Sequence, residues 1–428
     1  MADSSNRNDD PTFQFLHLVA SGSLDDLRMA LEAGADPNGQ DERGHTPLFV
    51  AIDARDLEKI RLLIACGADL EQADDFNNTP LRCAVSNDYA EGVAYLLSLG
   101  AERGFHPKHT LKKIDLTPVI DNSVIPPELV GILSEEEWRA SQEETRKHLT
   151  EWGNNPTVEP MIHDVQSVAV LKLFLEAGDD LSLAPQEIRR AYAGLSTGGE
   201  LAVSREEFQA HKTRQFGVRN PEPMDFSFWR DMVRVGCNSY FATKTFDEPS
   251  PFLSDSYAPI WCFDRFGASL TPLPDGRLIQ IAGEHEDYYD PDFCIYNDVV
   301  VFDGHGNFRI YGYPREVFPP TDFHTATLAG DAIYIIGNLG YRDERRRGFT
   351  PVYRLTLETW AIEPVATTGE NPGWISKHRA NIDRERNAIR IVGGTIVVDG
   401  EGEDEEQVAN RHEFELILQS LSWRRLSS

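Results

Sequence analysis

Cysteine is scarce in this sequence, and the few residues present lie far apart. The chain has five cysteines and no Cys-x-x-Cys pair, at Cys66, Cys83, Cys237, Cys262 and Cys294. An odd, dispersed set implies no disulfide framework and has no zinc-site spacing. We therefore expect buried thiols in a reducing compartment.

Long hydrophobic runs are also missing. No stretch approaches the roughly 18 apolar residues that a membrane-spanning helix needs. Residues 1–11 are polar and lack the apolar core of a secretory signal, so we interpret them as a disordered N-terminus. These absences predict a cytoplasmic protein with no membrane partner.

Basic residues are few relative to acidic ones. The 428 residues include 41 Lys and Arg against 70 Asp and Glu, which gives a formal net charge of −29. A field of this sign repels phosphate backbones, and it steers basic partners toward the surface. The composition therefore argues against nucleic acid as a ligand and favours a protein partner with a basic surface.

The familiar catalytic and cofactor motifs are absent from the sequence. It has no Gly-x-Ser-x-Gly motif, no phosphate-binding loop, no dinucleotide fingerprint and no His-Glu-x-x-His motif. We therefore nominate no cofactor and no catalytic residue, and a non-enzymatic role is favoured.

What the sequence does contain is a repeat with a period of 33 residues near its N-terminus. Gly34, Gly67 and Gly100 are each followed by alanine and an acid, and residues 46–48 and 79–81 both read Thr-Pro-Leu. This pattern resembles the ankyrin repeat. Thr46 is suited to capping a helix, and Gly67 to ending one in the left-handed conformation.

The ankyrin resemblance implies a binding surface on the concave face and the turn tips of the array. Helical spacing predicts an inward face for the second helix at Leu57, Ile60, Leu63 and Ile64. The tip residues that we nominate for partner binding are Asp41, Glu42, Arg43, Asp74, Asp75, Phe76 and Asn77.

The 33-residue period is lost after residue 104. We predict an irregular and helical insertion over residues 105–156, including a charged helix at 128–152, and then a degenerate fourth unit around residues 168–179. The ankyrin-like region would thus cover residues 12–185. Residues 186–256 indicate a helical linker or cap.

A second repeat, of about fifty residues, is written three times within residues 257–428. Each copy contains four strand signals, with glycine after the second. Val301, Tyr353 and Leu416 each precede an aromatic by seven residues, at Phe308, Trp360 and Trp423. With the glycines at 393 and 394, these positions resemble the kelch repeat.

These two resemblances predict a multidomain α+β protein, with an all-α ankyrin solenoid followed by three all-β kelch-like blades. The combination resembles bacterial ankyrin-repeat proteins with a kelch-like C-terminal part. Closed propellers have four to eight blades, so three leave exposed edges. A homodimer of six blades and an arc capped by the helices of 186–256 are both open; a blade hidden upstream has little strand signal to support it.

One loop and two histidines could carry chemistry between the blades. The candidate residues are Glu284, His285, Glu286, Asp287, His324 and His378. Carboxylates around a histidine can bind a metal or transfer protons. The structural interpretation is a solvated acidic loop, with each repeat histidine bonded inside its own blade. The arginines at 342 and 345–347 could pair with this loop or with the acids of 401–406.

The sequence as a whole favours a non-enzymatic protein-interaction module or scaffold, because both repeat types display surface. The alternative is an enzyme, or a metal- or carbohydrate-binding protein, with a site between the kelch-like blades.

Overall fold

The computed structural model describes residues 10–105, 159–196, 198–248, 258–287, 290–400 and 405–426. The disordered N-terminus and the insertion that we predict lie outside these ranges, except for residues 10, 11 and 105. The chain divides into two compact units, Met1–Ile188 and Arg189–Ser428. The four-part division made from the sequence stays a prediction.

Three helical pairs build the first part of unit one. They are α1 (Pro11–Ser21) and α2 (Leu24–Glu32), α3 (Pro47–Asp53) and α4 (Leu57–Ala65), and α5 (Pro80–Ser86) and α6 (Ala90–Ser98). Proline opens α1, α3 and α5, at the position where a missing N–H is harmless. Gly67 follows the end of α4 with a φ of 96°, as its predicted role requires.

The helices pack through the faces that their spacing predicts. Ile60 and Leu63 are fully buried, and Leu57 and Ile64 are half-buried. One cap differs from the prediction. The side chain of Thr79 accepts a hydrogen bond from the Arg82 amide, whereas the buried hydroxyl of Thr46 caps nothing.

A fourth helical unit follows residues 106–158. The short strands β1 (Gly104–Phe105) and β2 (Glu159–Pro160) pair antiparallel across that interval. A 3₁₀ turn, Met161–Asp164, takes the place of a first helix, and α7 (Val168–Glu176) packs on α6. Arg82 forms an ion pair of 2.9 Å with Asp164, which ties this unit to α5.

Unit two begins with helices and continues as sheets. Its helices are α8 (Gln186–Tyr192), which spans the boundary between the units, α9 (Arg205–His211), α10 (Ser227–Val235) and α11 (Ser239–Thr245). The short strand β3 (Glu222–Pro223) lies between α9 and α10.

Three antiparallel four-stranded meanders follow, one for each copy of the fifty-residue repeat. Sheet one consists of β4 (Ser269–Pro272), β5 (Leu278–Ile281), β8 (Val299–Phe302) and β9 (Phe308–Gly312). Sheet two consists of β10 (Thr325–Ala329), β11 (Ala332–Ile336), β12 (Val352–Thr356) and β13 (Ile362–Pro364). Sheet three consists of β16 (Arg379–Asp383), β17 (Ala388–Val392), β20 (Glu413–Ile417) and β21 (Ser422–Leu426). Within the described residues they do not close into a propeller.

Additional strands are inserted after the second strand of two sheets. β6 (Glu284–Asp287) and β7 (Asp290–Ile295) form a hairpin beside sheet one. β18 (Thr395–Asp399) and β19 (Glu405–Ala409) form another beside sheet three, and β15 (Trp374–Ser376) extends it to three strands. In sheet two a 3₁₀ turn, Arg342–Glu344, occupies the corresponding connection.

The strand registers correct our alignment of the copies. Leu416 pairs with Trp423, and the equivalent pair in sheet two is Leu355 with Ile362. Trp360 therefore lies in the turn before β13, with a φ of 60°, and the shared offset of seven residues does not mark one strand position. Likewise Gly337 is equivalent to Ala282 and not to Gly283, because Thr325 pairs with Ile336 as Ser269 pairs with Ile281.

The sheets pack face to face through two apolar clusters. Sheets one and two share a cluster centred on Ile279, Ile281, Ile333 and Ile335. Sheets two and three share a cluster centred on Ile336, Ile389, Ile391 and Leu416. Each meander thus buries the apolar sides of its strands against its neighbours.

The fourth strand of each sheet, which we call its outer strand, has a cover along its edge. β3 pairs with β9, and β14 (Thr368–Gly369) pairs parallel with β21. The edge of β13 is covered by one side chain. The side-chain amide of Asn220 donates to the Ile362 carbonyl at 2.7 Å and accepts from the Ile362 N–H at 2.9 Å. These contacts occupy backbone groups that would otherwise invite edge-to-edge association.

Candidate functional site

The two turn tips of unit one, at residues 41–43 and 74–77, are built by their own aspartates. The carboxylate of Asp74 accepts hydrogen bonds from the amides of Phe76 and Asn78, at 2.9 and 2.7 Å. Asp41 accepts from the amides of Arg43 and His45, at 2.8 and 2.9 Å. These acids fix the turn conformation, as aspartate does in Asx turns.

The tips are also joined to one another. The amide of Asp75 donates to the Arg43 carbonyl at 3.0 Å, and the imidazole of His45 lies 3.7 Å from both Asp41 and Asp74. Sequence reasoning missed His45, although its place directly after the first tip, four residues from Asp41, was the available signal.

The side chains that we nominated at the tips fall into two groups. Asp74 and Asn77 are buried, and Asp41 is half-buried within its turn. Glu42, Arg43, Asp75 and Phe76 are exposed, and 70% of the Phe76 surface is accessible to solvent. The outward surface of the tips is therefore one phenylalanine among charged groups.

In unit two, His285 anchors the acidic hairpin. Its ring is buried, and its Nε2 atom lies 2.8 Å from the Ser239 hydroxyl at the start of α11. A histidine beside a serine can activate a nucleophile, but Ser239 is only 1% exposed, so a substrate could not reach it. The contact holds the hairpin against the helix. The side chains of Glu286 and Asp287 lie outside the part of the chain that the structure describes.

Glu284 pairs with a carboxyl group that sequence reasoning missed. Its carboxyl group lies beside that of Asp322, in the connection between sheets one and two, and it acts to lower the pKa of Asp322. Burial raises the pKa of Asp322, while the Gly340 amide, Glu284 and Arg345 oppose that rise. Among the described residues, no hydrogen bond reaches its buried Oδ2 atom.

His324 and His378 join neighbouring sheets, so the prediction that each bonds within its own blade is wrong. The Nε2 atom of His324 lies 2.8 Å from the Ser269 hydroxyl, and that of His378 lies 2.9 Å from the Thr325 hydroxyl. Burial lowers the pKa of His324 to about 3 and that of His378 to about 4, so both rings are neutral at physiological pH.

The candidate residues between the sheets are not gathered into one metal centre. Across the side chains that the structure describes, no three from His, Cys, Asp and Glu are arranged to hold a metal ion. Glu284 and His285 act in the hairpin, whereas His324 and His378 act between the first strands of the sheets.

The arginines of sheet two pair with the hairpin of sheet three. Arg342 and Arg345 contact Glu405, and Arg347 contacts Asp399. Among the side chains that the structure describes, these arginines thus contact acids of the third repeat, one of the two partners that the sequence left open. Residues 401–404 lie outside the described ranges.

Comparison with known proteins identifies part of the first unit. A family model described as ankyrin repeats (three copies) matches residues 15–104, the region of α1–α6. No curated protein matches the chain. Among the described residues, no helix is long and apolar enough to span a bilayer.

Proposed function

We propose that this protein is a non-enzymatic interaction module or scaffold that binds a partner protein through its ankyrin repeats. The observation that carries the proposal is the exposure of Phe76 on a turn held by internal hydrogen bonds. An aromatic group on a preordered turn buries apolar area on binding and loses little conformational freedom.

Charge defines the kind of partner that these tips fit. Glu42 and Asp75 are exposed beside Phe76 and face outward from a strongly acidic chain. A partner with a basic surface around an apolar recess would complement them. Nucleic acid and anionic membranes are poor complements to that charge, and a cytoplasmic location stays a prediction.

A capture experiment tests the tips. Immobilised full-length protein is compared with a Phe76→Ala/Asp75→Lys variant and with Glu91→Lys, which reverses an exposed charge on α6 away from the tips. We expect a specific partner to be retained by the wild type and by Glu91→Lys but lost by the tip variant. Equal recovery by all three would contradict the proposal.

We also propose that the three sheets are kelch-like blades arranged as an open arc. Support comes from their meander order, the apolar clusters between them and the hydrogen bonds from His324 and His378 to the preceding first strand. Cysteines placed at Ser269 and His324 should cross-link in folded protein, because these side chains are in contact. Failure to cross-link would contradict the arrangement of adjacent first strands.

The alternative function, an enzymatic or ligand-binding site between the blades, has less support. Its best candidate is the pair of Glu284 and Asp322, but Asp322 is fully buried and its carboxyl group is engaged. Metal analysis of the purified protein tests this alternative. Stoichiometric metal that is lost in a His285→Ala variant would favour it over the scaffold.

A further inference from the structure

Each of the first two sheets has a face directed toward the next sheet in the chain, which we call the forward face. Apolar residues of sheet one on this face are Ile279, Ile281, Val299, Val301 and Tyr311. Those of sheet two are Ile336 and Val352, with Tyr334 and Val365 at the margin. Both forward faces are therefore packing surfaces.

Sheet three has charged residues at three of the five positions that are apolar in sheet one. The strand registers place Arg390 where sheet one has Ile279 and sheet two has Tyr334. They place Glu413 where sheet two has Val352. Further charged residues of this face are Arg379, Glu415 and Arg424. Charge thus occupies three of the five positions in sheet three, where Val392 and Leu426 stay apolar, but only one in sheet two, at Arg354.

Four of these charged groups, Arg390, Glu413, Glu415 and Arg424, are already in ion pairs. Arg390 contacts Glu413, and the Glu415 carboxylate is held by Arg424 and, at 3.6 Å, by Arg386. Glu415 is only 3% exposed beneath these side chains, whereas the arginines are in contact with water. A further sheet on this face would desolvate the arginines without offering them new partners.

The link between first strands also ends at sheet three. Ser269 and Thr325 provide the hydroxyl groups that bond to His324 and His378 of the following sheet. At the equivalent position sheet three has Arg379, whose side chain is exposed. In a head-to-tail dimer Arg379 would meet Ala268 of the second copy, which stands where the other sheets have histidine. Such a dimer would therefore lack both the hydroxyl group and the histidine that form this hydrogen bond within the stack.

The opposite end of the stack is covered by the chain itself. Phe302 of sheet one packs edge-on against Phe263 at 6.1 Å, and Gln280 donates to the Phe263 carbonyl. Arg230 of α10 lies over the ring of Phe308 at 4.9 Å. No apolar face of sheet one in the described residues is thus left for a second copy to occupy.

From these observations we infer that sheet three terminates the stack, and that a second copy of the chain does not complete a propeller. The three sheets and the helices of residues 189–248 form a finished open arc. The exposed forward face of sheet three is a polar boundary, in contrast to the apolar faces inside the stack.

Sedimentation equilibrium of the full chain tests the inference. The mass of one chain at all concentrations is the expected result. If the protein does associate, Arg379→Cys with Ala268→Cys in a Cys66→Ser background locates the interface, because these two positions would meet in a head-to-tail dimer. A disulfide between copies at these positions would overturn the inference. Association without it places the interface outside the head-to-tail contact, as inferred.

A gain-of-association variant tests the role of the charges. Arg390→Ile with Glu413→Val restores the apolar residues of sheet one, and we expect it to self-associate. The control, Arg411→Ile with Glu406→Val, makes the same changes at exposed positions away from this face and should stay monomeric. A forward-face variant that remains monomeric, with a native circular dichroism spectrum, would show that the charges do not end the stack.

Discussion

The two units repeat themselves in different ways. In the ankyrin region, Gly34, Gly67 and Gly100 occupy the same place with φ values of 97°, 96° and 88°. In the sheets, a shared backbone position is filled by Ala282, Gly337 or Gly393, and the connection that follows differs in length. The helical repeats therefore have the same residue at the same position in each copy. The sheets share the strand register, but the residue at a given position differs between copies.

The largest expected difference between the units comes from a buried ion pair in unit two. Arg265 and Asp298 are 1% and 4% exposed, and the indole of Trp261 also donates to Asp298 at 2.8 Å. Arg265→Ala leaves a buried carboxylate uncompensated and should destabilise unit two by about 3–5 kcal/mol. Hydrogen exchange resolved by peptide should show faster exchange in the sheets, with the ankyrin helices unchanged.

The control for that prediction is Arg277→Ala. Arg277 forms a partly exposed pair with Asp275, and loss of such a pair costs about 1 kcal/mol or less. Equal destabilisation by the two variants would contradict the importance of the buried pair.

A glycine-to-alanine substitution in each unit is expected to lower the free energy of unfolding by a smaller amount. Both Gly67 and Gly394 have φ near +90°, so alanine is strained at either. A Cβ atom on Gly67 meets nothing within 4 Å, whereas one on Gly394 would lie 2.5 Å from the Ser376 carbonyl oxygen. We expect Gly67→Ala to cost about 1 kcal/mol and Gly394→Ala about 3 kcal/mol. Urea unfolding measures both, and a reversed order would refute the close approach.

The effect that is smallest at neutral pH comes from two buried histidines, and it grows as the pH falls. His324 and His378 have folded-state pKa values of about 3 and about 4, below the unfolded value of about 6.5. The unfolded chain therefore binds protons first, and stability is lost as pH falls from about 6.5 toward the folded pKa, by up to about 1.4 kcal/mol per pH unit for each ring. Urea titrations of wild type and His324→Gln should show a shallower pH dependence in the variant. Identical slopes would contradict the burial of this ring.

Much of the fold could be predicted from the sequence, because local signals specify it. The 33-residue spacing of glycines predicted the helical pairs of residues 15–104, and three sets of four strand signals predicted β-rich repeats. Equivalence between the sheets could not be counted from spacing. The turn before β13 places Trp360 two residues before the strand, so one offset matched two different positions.

Less of the candidate site could be predicted. Glu284 and Asp322 are 38 residues apart and neither belongs to a motif, so only the packing of a hairpin against the next connection brings them together. The hydrogen bonds of His324 and His378 cross between sheets. Sequence periodicity does not predict which neighbouring sheet a side chain contacts. Exposure of Phe76 was easier to predict, because turn tips face solvent.

The covers on the outer strands have a consequence for synthesis on the ribosome. In each case the cover precedes its strand in the chain: β3 precedes β9, Asn220 precedes β13, and β14 precedes β21. Because the N-terminal part of a chain emerges first, each outermost strand appears when its cover has already been made. These outer edges of the nascent protein therefore have a partner available as soon as they emerge.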